Sequence, residues 1–462
     1  MQELNLGYHY PIIYWNTACL IINAGANEEL DDNKSTQYGK IAKAIANFKQ
    51  RSIIVDRPLI NEAKFSFVPD EKNNRIIFSF KGLCGIGDDI ARAIVEHQPY
   101  SSFEDFCKRM VDTKIIGTAK MIILIKAGCF NELDSPDRME TMKKFLSRNV
   151  FTPTDKLTMQ QFNSALEYDI FPKEMETMIR IKNFKAYALH ESFFLKNIID
   201  EEKKVPKKGY HDRYFALDER GTEFLMEHFN TCIVGTKEDG VIISEKLFNK
   251  EWDALIQPLK DYMALPETLQ LYNQKKLDST MESYASGSLE QWDMESLSYY
   301  PDRHELWNLN EPKYGVVDYN SLPEIPEVYD HTTRRVRGEI KHFPKYKIFR
   351  LAGTVLDSDN NKHLVTLLTN HSVVTCKYNK GQYSYYNKRI SEQTPAGKKK
   401  VLEESWFKRG SKIIVCGYRR EDQFVIMKYP DTVYTHTTNR IEEIYNDGTI
   451  LAQTDRKKVG EG

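Results

Sequence analysis

Two glycines one residue apart stand just before a helical pattern in FKGLCGIGDDIARAI, residues 80–94. Glycine allows backbone angles and a close approach that a Cβ atom would prevent. In a helix-hairpin-helix, such a turn points backbone N–H groups outward at the start of the second helix. These groups can bind a DNA phosphate without reading base sequence. The segment therefore predicts duplex-DNA contacts at Gly85, Ile86 and Gly87, with Lys81 and Arg92 as the nearby cations.

The same glycine turn does not fit the two common nucleotide-binding motifs. A nucleotide-binding P-loop requires a Lys-Ser/Thr pair after the glycines, and none follows. A G-x-G-x-x-G dinucleotide motif fails because residue 90 is isoleucine. An ordinary helical corner without a ligand stays open on this motif alone, since glycine is common at helix ends.

A second candidate site lies in a basic region near the end of the chain. Between residues 331 and 430 there are 21 Lys and Arg against 8 Asp and Glu, although the whole chain has a net charge of −1. Residues 346–430 carry five strand patterns, and the longest gap follows the third, as in an OB-type barrel. This charge and topology favour an anionic, single-stranded partner.

The gap alternates basic and aromatic residues, whose rings can stack on bases while the cations follow phosphates. The alternative is a solvated loop whose tyrosines pack inward, and strand parity alone cannot decide which barrel face is open. The predicted single-strand contacts are Arg350, Lys377, Tyr383, Tyr385, Tyr386, Lys388, Arg389, Arg419 and Phe424.

The order of several segments resembles the alpha subunit of bacterial DNA polymerase III, the C-family replicative polymerase. HYPIIYWNTA is similar to its K-x-x-Y-P-x-x-F-x-x-A segment, and IIVDRPLINEAKFSF, IIFSFKGLCGIGDDIARAIVEH, SSFEDFCKRM and LIKAGCFNELD follow in the family's order. WDMESLSYYPDRHEL also matches, with Ser298 where the family has glycine and Glu305 where it has proline. The resemblance is dense over residues 8–134, thin over 135–290, and returns at 291–306.

The resemblance implies an α+β multidomain chain that grips DNA. It implies a second hairpin around Lys126–Gly128, with Lys126 and Gly128 on the duplex. The expected parts are the end of a fingers-like helical domain at 1–74, a tandem helix-hairpin-helix region at 75–150, a mixed helical region at 151–300, a linker at 301–345, an OB-fold domain at 346–436 and a tail at 437–462.

The resemblance also implies that the catalytic palm is missing, because the family's D-x-D strand lies upstream of residue 1. The D-x-D pair here, Asp357 and Asp359, precedes two asparagines between strand patterns and is interpreted as a turn. Seven scattered cysteines and eleven histidines show no metal-site spacing. We therefore expect no catalytic residue and no metal or other cofactor in this chain, with Mg²⁺ bound by a palm-bearing partner chain.

The family's alpha subunits also bind a sliding clamp through a short peptide similar to Q-L-x-L-F. The most similar segment is TLQLY at residues 268–272, which makes Leu269, Leu271 and Tyr272 candidates for clamp contact. The alternative is an ordinary amphipathic helix within residues 251–278.

These observations predict a role in DNA replication, as the C-terminal DNA-binding part of a split or truncated polymerase III alpha subunit. The alternative is a stand-alone DNA-binding accessory protein; an independent nuclease has no cluster of catalytic residues to support it. A fingers fragment without its palm should expose apolar surface around Tyr10, Ile13, Trp15 and Leu20. No secretory signal and no membrane-spanning run are recognisable, which predicts the cytoplasm of a bacterial or phage-infected cell.

Overall fold

The computed structural model describes residues 11–26, 35–49, 52–195, 213–237, 240–393, 399–428 and 437–457. The chain divides into two compact units. The first unit consists of Met1–Phe145 and Ala285–Gly462, and the second consists of Leu146–Tyr284. The first unit is therefore built from two stretches that are far apart in sequence.

The first stretch of the first unit is mainly helical. Its helices are α1 Ile12–Ala24, α2 Tyr38–Lys49, α3 Asp88–Glu96, α4 Phe103–Phe106, α5 Thr118–Lys126 and α6 Arg138–Asn149, with a π-helical turn Cys107–Val111 after α4. Its strands are β1 Ile54–Asp56, β2 Val68–Asp70 and β3 Arg75–Ile77. They form a small sheet of order β1-β3-β2, in which β1 and β3 are parallel. Helix α2 buries Ile41, Ala42 and Ile45, as the helical spacing of its apolar residues predicts.

The exposed apolar surface of α1 differs in part from the predicted one. Ile13 and Leu20 are buried, and Tyr10 lies outside the described residues. Trp15 is exposed as expected, together with Ile12 and Ile22. These three side chains lie three and seven residues apart, so they form one stripe along the helix.

The second unit is an α+β domain with two apolar cores. Its helices are α7 Phe162–Glu167, α8 Glu176–Ala188, α9 Glu219–His228, α10 Glu245–Leu255, α11 Gln257–Met263 and α12 Pro266–Tyr284, with short 3-10 turns at Met159–Gln161, Lys173–Met175 and Glu191–Phe193. Its strands β4 Tyr214–Ala216, β5 Ile233–Lys237 and β6 Gly240–Ser244 form an antiparallel sheet of order β4-β6-β5. One core gathers around Phe229 and Phe248, the other around Phe162 and Leu259.

The second stretch of the first unit is mainly β-structure. Its helices are α13 Leu289–Ser296, α14 Glu311–Tyr314 and α15 Lys380–Asn387, with a 3-10 turn at Tyr319–Ser321. Its strands are β7 Val328–Val336, β8 Glu339–Tyr346, β9 Phe349–Asp359, β10 Leu364–Leu368, β11 Val373–Lys377, β12 Ile390–Gln393, β13 Lys399–Glu403, β14 Lys412–Arg420, β15 Gln423–Ile426, β16 Thr438–Ile444 and β17 Ile450–Gln453.

Five of these strands form a closed barrel, which confirms the predicted OB-type domain within an α+β chain. The order is β15-β11-β10-β9-β14, and β14 also pairs with β15 to close the barrel. Strands β11 and β15 are parallel, and α15 lies in the gap between the third and fourth barrel strands, as in an OB fold. Gly417 permits the closure, because a Cβ atom there would lie 2.2 Å from the carbonyl oxygen of Val425.

Two predicted boundaries need correction. The predicted linker at 301–345 contains helix α14 and most of a two-stranded antiparallel ribbon, β7–β8. The predicted tail at 437–462 begins with β16 and β17, and β16 extends the barrel sheet beside β14. Arg456 then forms an ion pair of 2.6 Å with Glu403, and both side chains are buried. A polar composition concealed this buried pair.

Residues 285–306 are anchored to the helices of the first stretch. Asp293 is buried and accepts two hydrogen bonds from Arg57, at 2.6 and 2.9 Å, and one from Arg138 at 2.5 Å. The backbone N–H of Cys84 donates to the carbonyl oxygen of Ser296 at 2.8 Å. Ser298 has a positive φ of 68°, which explains why glycine would suit this position.

Candidate nucleic-acid interface

Two helices of the first unit begin at an exposed glycine with the same backbone geometry. Gly87 precedes α3 with φ −84° and ψ 165°, and Gly117 precedes α5 with φ −83° and ψ 163°. Neither helix start has a side-chain cap. The first-turn N–H groups of a helix have no intrahelical acceptor, so each start offers several donors to an anion.

Packing within the described chain does not require glycine at these two positions. A Cβ atom at Gly87 or Gly117 would meet nothing within 4 Å, and neither residue has a positive φ. Gly85 is different, because its φ of 83° strongly favours glycine. Open space above two bare helix starts is the geometry that lets a phosphate group approach the backbone closely.

The two starts differ in charge. Helix α3 has Asp88 and Asp89 in its first turn, whereas the first turn of α5 has no acidic residue. Carboxylates in the first turn compete with a phosphate for the N–H donors and repel it. The start of α5 is therefore the stronger anion site of the two.

The Gly85 turn is fixed by side chains from three elements. Lys120 of α5 donates to the carbonyl oxygen of Gly85 at 2.5 Å, while the Tyr38 hydroxyl accepts from the Gly85 N–H at 3.3 Å. Arg409 lies over the Tyr38 ring, 4.8 Å from its centroid, and donates to the Cys84 sulfur at 3.2 Å. Burial raises the pKa of the Cys84 thiol although Arg409 lowers it, so the thiol stays protonated at neutral pH.

The two cations predicted beside the first turn already contact other side chains. Lys81 forms an ion pair with Asp88, and Arg92 lies over the Phe65 ring, 4.1 Å from its centroid. Gly85 and Gly87 are exposed as required, but Ile86 between them is buried and serves packing.

The prediction of a second hairpin around Lys126–Gly128 is wrong. Gly128 is buried after the end of α5, and a Cβ atom there would lie 3.1 Å from the Arg57 side chain. Lys126 bonds to Glu295 at 2.9 Å. A helix C-terminus presents carbonyl groups, which repel phosphate. The second turn lies at Gly117, and the sequence signal was Ile-Ile-Gly-Thr at residues 115–118, directly before an apolar helix.

Three predicted strand-binding residues belong to the barrel core. Phe424, Tyr383 and Tyr386 are buried, and Tyr386 stacks on Trp406 with ring centroids 5.2 Å apart. Buried rings cannot stack on bases, so these three assignments are corrected. For Tyr383 and Tyr386, the alternative of tyrosines packed inward is the right one.

Three further barrel cations are tied to backbone carbonyls. Arg350 donates to Tyr314 at 3.0 Å, Arg419 donates to Leu322 at 3.0 Å, and Lys377 donates to Lys362. Arg419 also forms an ion pair of 2.9 Å with Glu324. Arg350 and Arg419 thus connect the barrel to the segment before it, whereas Lys377 braces the hairpin between β9 and β10.

The predicted single-strand DNA contacts that remain exposed lie together near the end of α15. Tyr385 is 51% exposed, and Lys388 and Arg389 follow it on the surface. Arg389 forms an exposed ion pair with Glu404 at 3.0 Å, which a polyanion can displace. Tyr385, Lys388 and Arg389 are therefore the residues of the predicted set that can still reach a single strand.

The predicted clamp peptide is part of an ordinary helix. Leu269, Leu271 and Tyr272 lie within the 19-residue helix α12. Tyr272 is buried, Leu269 packs against the same core, and Leu271 points to solvent. Tyr272 cannot enter a pocket on another protein from this position, so the alternative interpretation of an amphipathic helix is correct.

Asp357 and Asp359 end strand β9 at a hairpin turn. Both the Asn361 and Lys362 N–H groups donate to Asp359 at 2.9 Å, as in an Asx-turn. Within the described part of the chain, no three His, Cys, Asp or Glu side chains are arranged to hold a metal ion. None of the described helices combines the length and the apolar character needed to cross a bilayer.

Comparisons with known proteins agree with the helix-hairpin-helix geometry. Residues 52–140 match the helix-hairpin-helix motif family. The chain is 40% identical over 467 aligned residues to the "Probable DNA polymerase YorL" of Bacillus subtilis strain 168 and, equally, to the "DNA-directed DNA polymerase" of Bacillus phage SPbeta. The alignments cover 99% of this chain and 34% of each relative, so the chain spans about a third of the length of the curated relatives it matches.

Proposed function

We propose that this chain is the DNA-holding, C-terminal part of a split or truncated DNA polymerase III alpha subunit. In this proposal the helix starts at Gly87 and Gly117 hold duplex product, and the barrel holds single-stranded template. A palm-bearing partner chain supplies the catalytic carboxylates and binds Mg²⁺. The complex would then act in the cytoplasm of a bacterial or phage-infected cell.

One observation carries the proposal: the paired glycine helix starts lie inside the segment that matches the helix-hairpin-helix family. The similarity to proteins named DNA polymerase extends over nearly the whole chain, which favours polymerase over an unrelated DNA-binding role. Contacts through backbone N–H groups and cations should read no sequence, and they should weaken as salt concentration rises.

We expect Gly117→Val to weaken duplex-DNA binding about tenfold, and Gly87→Val to weaken it by less. A valine side chain at either helix start blocks the approach of a phosphate to charge-assisted N–H donors, each worth about 1.5–3 kcal/mol. The start of α3 contributes less because of its two aspartates. Fluorescence anisotropy with a labelled duplex measures the effect, and binding to an oligonucleotide single strand should not change.

A matched control tests whether a glycine-to-valine change elsewhere lowers affinity, and a thermal melt of each variant reports its folding. Gly235→Val places the same side chain on β5 of the second unit, where the nearest atom to the new Cβ is 3.8 Å away. It should leave duplex binding unchanged. A folded Gly117→Val variant with the affinity of the original chain would contradict the proposal.

The barrel surface gives a second prediction from two neighbouring tyrosines. Tyr385→Ala should weaken single-strand binding roughly fivefold to tenfold at unchanged thermal stability, since stacking on one base is worth about 1–3 kcal/mol. Tyr386→Ala should instead destabilise the barrel by about 3 kcal/mol, because it removes a buried ring. Titrations with a single strand and thermal melts distinguish the two variants. Equal losses of affinity and of melting temperature in both would show that Tyr385 does not contact the single strand.

The exposed stripe of Ile12, Trp15 and Ile22 on α1 favours a partner chain over the stand-alone accessory protein. Purification of the tagged chain from its native cells, followed by mass spectrometry, decides between them. A stoichiometric palm-bearing polymerase chain supports the split polymerase. Recovery of DNA without such a chain supports the accessory protein. A sliding clamp stays a proposed partner, without a contact in residues 268–272.

A further inference from the structure

The two-stranded ribbon β7–β8 extends from the barrel without joining another described sheet. Its strands pair with each other alone, with Arg334 opposite Lys341. At the tip, Arg337 and Gly338 both have positive φ, 52° and 88°, which is the geometry of a tight two-residue hairpin turn. Nearly every described side chain of β8 is exposed, including the large apolar Ile340. Burial of its own side chains therefore does not explain why this ribbon is stable.

The base of the ribbon is fixed to the barrel. The Tyr346 ring packs on Tyr418 of β14 with centroids 4.5 Å apart. The Lys347 N–H donates to the Glu327 carbonyl oxygen at 2.9 Å, directly below the first strand pair. Barrel strand β9 begins two residues later, at Phe349. The ribbon is thus an arm with an anchored base and a solvated tip.

Positive charge collects at the tip of this arm. Residues 328–346 contain five Lys and Arg against two Asp and Glu. Near the base, Lys345 bonds to Asp330 at 2.6 Å. Among the described residues no carboxylate lies within ion-pair distance of Arg334, Arg335 or Arg337.

The cross-strand register adds to this charge. Arg334 and Lys341 are directly opposite, so two like charges share one face of the ribbon. Such a pair opposes strand pairing, and the exposed Glu339 carboxylate, 3.9 Å from the Lys341 ammonium group, offsets only one of the four cations at the tip. The arrangement therefore points to a polyanionic partner at the tip.

We infer that the β7–β8 arm is an additional DNA-binding element that lies along a groove of duplex DNA and contacts its phosphates with Arg334, Arg335, Arg337 and Lys341. This inference rests on the proposed function, in which the chain holds DNA. A two-stranded ribbon fits the major groove, which is about 12 Å wide. The arm is roughly 25–30 Å long, so it can follow the groove between the two phosphate backbones over much of its length.

The composition of the tip favours a duplex over a single strand. Residues 332–341 contain no aromatic residue, whereas proteins that hold single strands depend on rings that stack on bases. Phosphate contacts from arginines position a protein on a duplex and read no sequence directly. The arm thus supplements the helix starts at Gly87 and Gly117 with contacts of the same non-specific kind.

The test uses the triple variant Arg334→Gln, Arg335→Gln, Arg337→Gln of the full chain, with a labelled duplex of about 30 base pairs. Duplex affinity should fall about tenfold or more, and the slope of log affinity against log salt should decrease by about 2–3, as expected for three lost phosphate contacts. The control Lys173→Gln, Lys250→Gln, Lys275→Gln removes the same charge from exposed lysines of the second unit and should change both quantities little.

A single substitution separates binding from a purely structural role. Lys341→Glu places a carboxylate opposite Arg334, which offsets the loss of the 3.9 Å contact with Glu339, and should keep the thermal stability of the chain. Duplex affinity should nevertheless fall severalfold. Unchanged affinity in a variant of unchanged stability would mean that the charges only prevent other strands from pairing with the ribbon edges. That result would overturn the inference.

The Gly117→Val variant, measured in the same assay, keeps the two proposals distinguishable. If Gly117→Val loses duplex affinity while the triple arginine variant binds as tightly as the original chain, the inference about the arm is overturned and the proposed function stands. Loss by the arginine variant alone supports the arm and contradicts the role of the helix start. An equal loss on duplex and single strand overturns the assignment of the arm to duplex DNA.

Discussion

The Asp293→Ala variant is expected to lose about 3–5 kcal/mol of its free energy of unfolding, because it leaves two buried guanidinium groups without their shared carboxylate. Asp293 is only 4% exposed and binds Arg57 and Arg138. This carboxylate offsets the cost of removing both arginines from water. Its loss leaves Arg138 buried without a carboxylate, while Arg57 retains only the exposed Asp302.

Asp302 provides a matched control for this prediction. It bonds to the same Arg57 at 2.8 Å, but its side chain is 77% exposed. Asp302→Ala should cost less than about 1 kcal/mol, as exposed ion pairs usually do. Hydrogen exchange of residues 118–138 and 285–306 across a urea series gives the local stability. Equal losses in the two variants would show that Asp293 does not hold these segments together.

Glu403→Ala is expected to destabilise the barrel by a similar amount, about 3–5 kcal/mol. Glu403 accepts hydrogen bonds from Arg456 at 2.6 Å and from the Trp406 indole at 2.8 Å. Arg456 in turn donates to the carbonyl oxygens of Tyr385 and Tyr386 at the end of α15. Loss of the carboxylate leaves a buried arginine that keeps its carbonyl acceptors but has lost its counter-charge.

The neighbouring Glu404→Ala is the control, since Glu404 and its partner Arg389 are both exposed. It should cost less than about 1 kcal/mol, and thermal or urea unfolding distinguishes the pair. A loss that is the same at both positions would mean that burial of the Glu403–Arg456 pair has no energetic weight.

Glu403 also predicts an acid dependence of stability. Burial alone would raise the pKa of its carboxyl group, but hydrogen bonds from Arg456 and Trp406 outweigh it and lower the pKa. A carboxyl group whose pKa is lower in the folded state stabilises the fold at pH values above its unfolded pKa of about 4.3. This contribution disappears as the pH falls through the lower pKa of the folded state. The original chain should therefore lose more stability between about pH 5 and pH 3 than Glu403→Gln does.

Sequence patterns predict the barrel because its strands alternate and its helix falls in the longest gap. They do not show which face of that helix packs against the barrel. Once residues 380–387 are helical, Tyr383 and Tyr386 share one face and pack inward, while Tyr385 points out. Without the first and last residues of the helix its buried face cannot be assigned, so the sequence pattern alone places all three tyrosines on one surface.

The errors in the hairpin region have a different origin. The glycine spacing predicts a turn at Gly87, and in the structure Gly87 directly precedes the first residue of α3. The predicted second turn falls at the end of α5 rather than at its start, because glycine also ends helices and its position alone does not tell a start from an end. The pairing of Lys81 with Asp88 and of Lys126 with Glu295 depends on tertiary contacts, and no sequence pattern contains them.

The contact between Arg138 and Asp293 bridges 155 residues of sequence, and this separation has a consequence for synthesis on the ribosome. At about 5–20 residues per second, Asp293 emerges roughly 10–30 s after Arg138. The second unit, whose two cores lie entirely within residues 146–284, can fold during that interval. The first unit meanwhile lacks the carboxylate partners of Arg57 and Arg138, and it becomes complete only after the inserted unit has been translated.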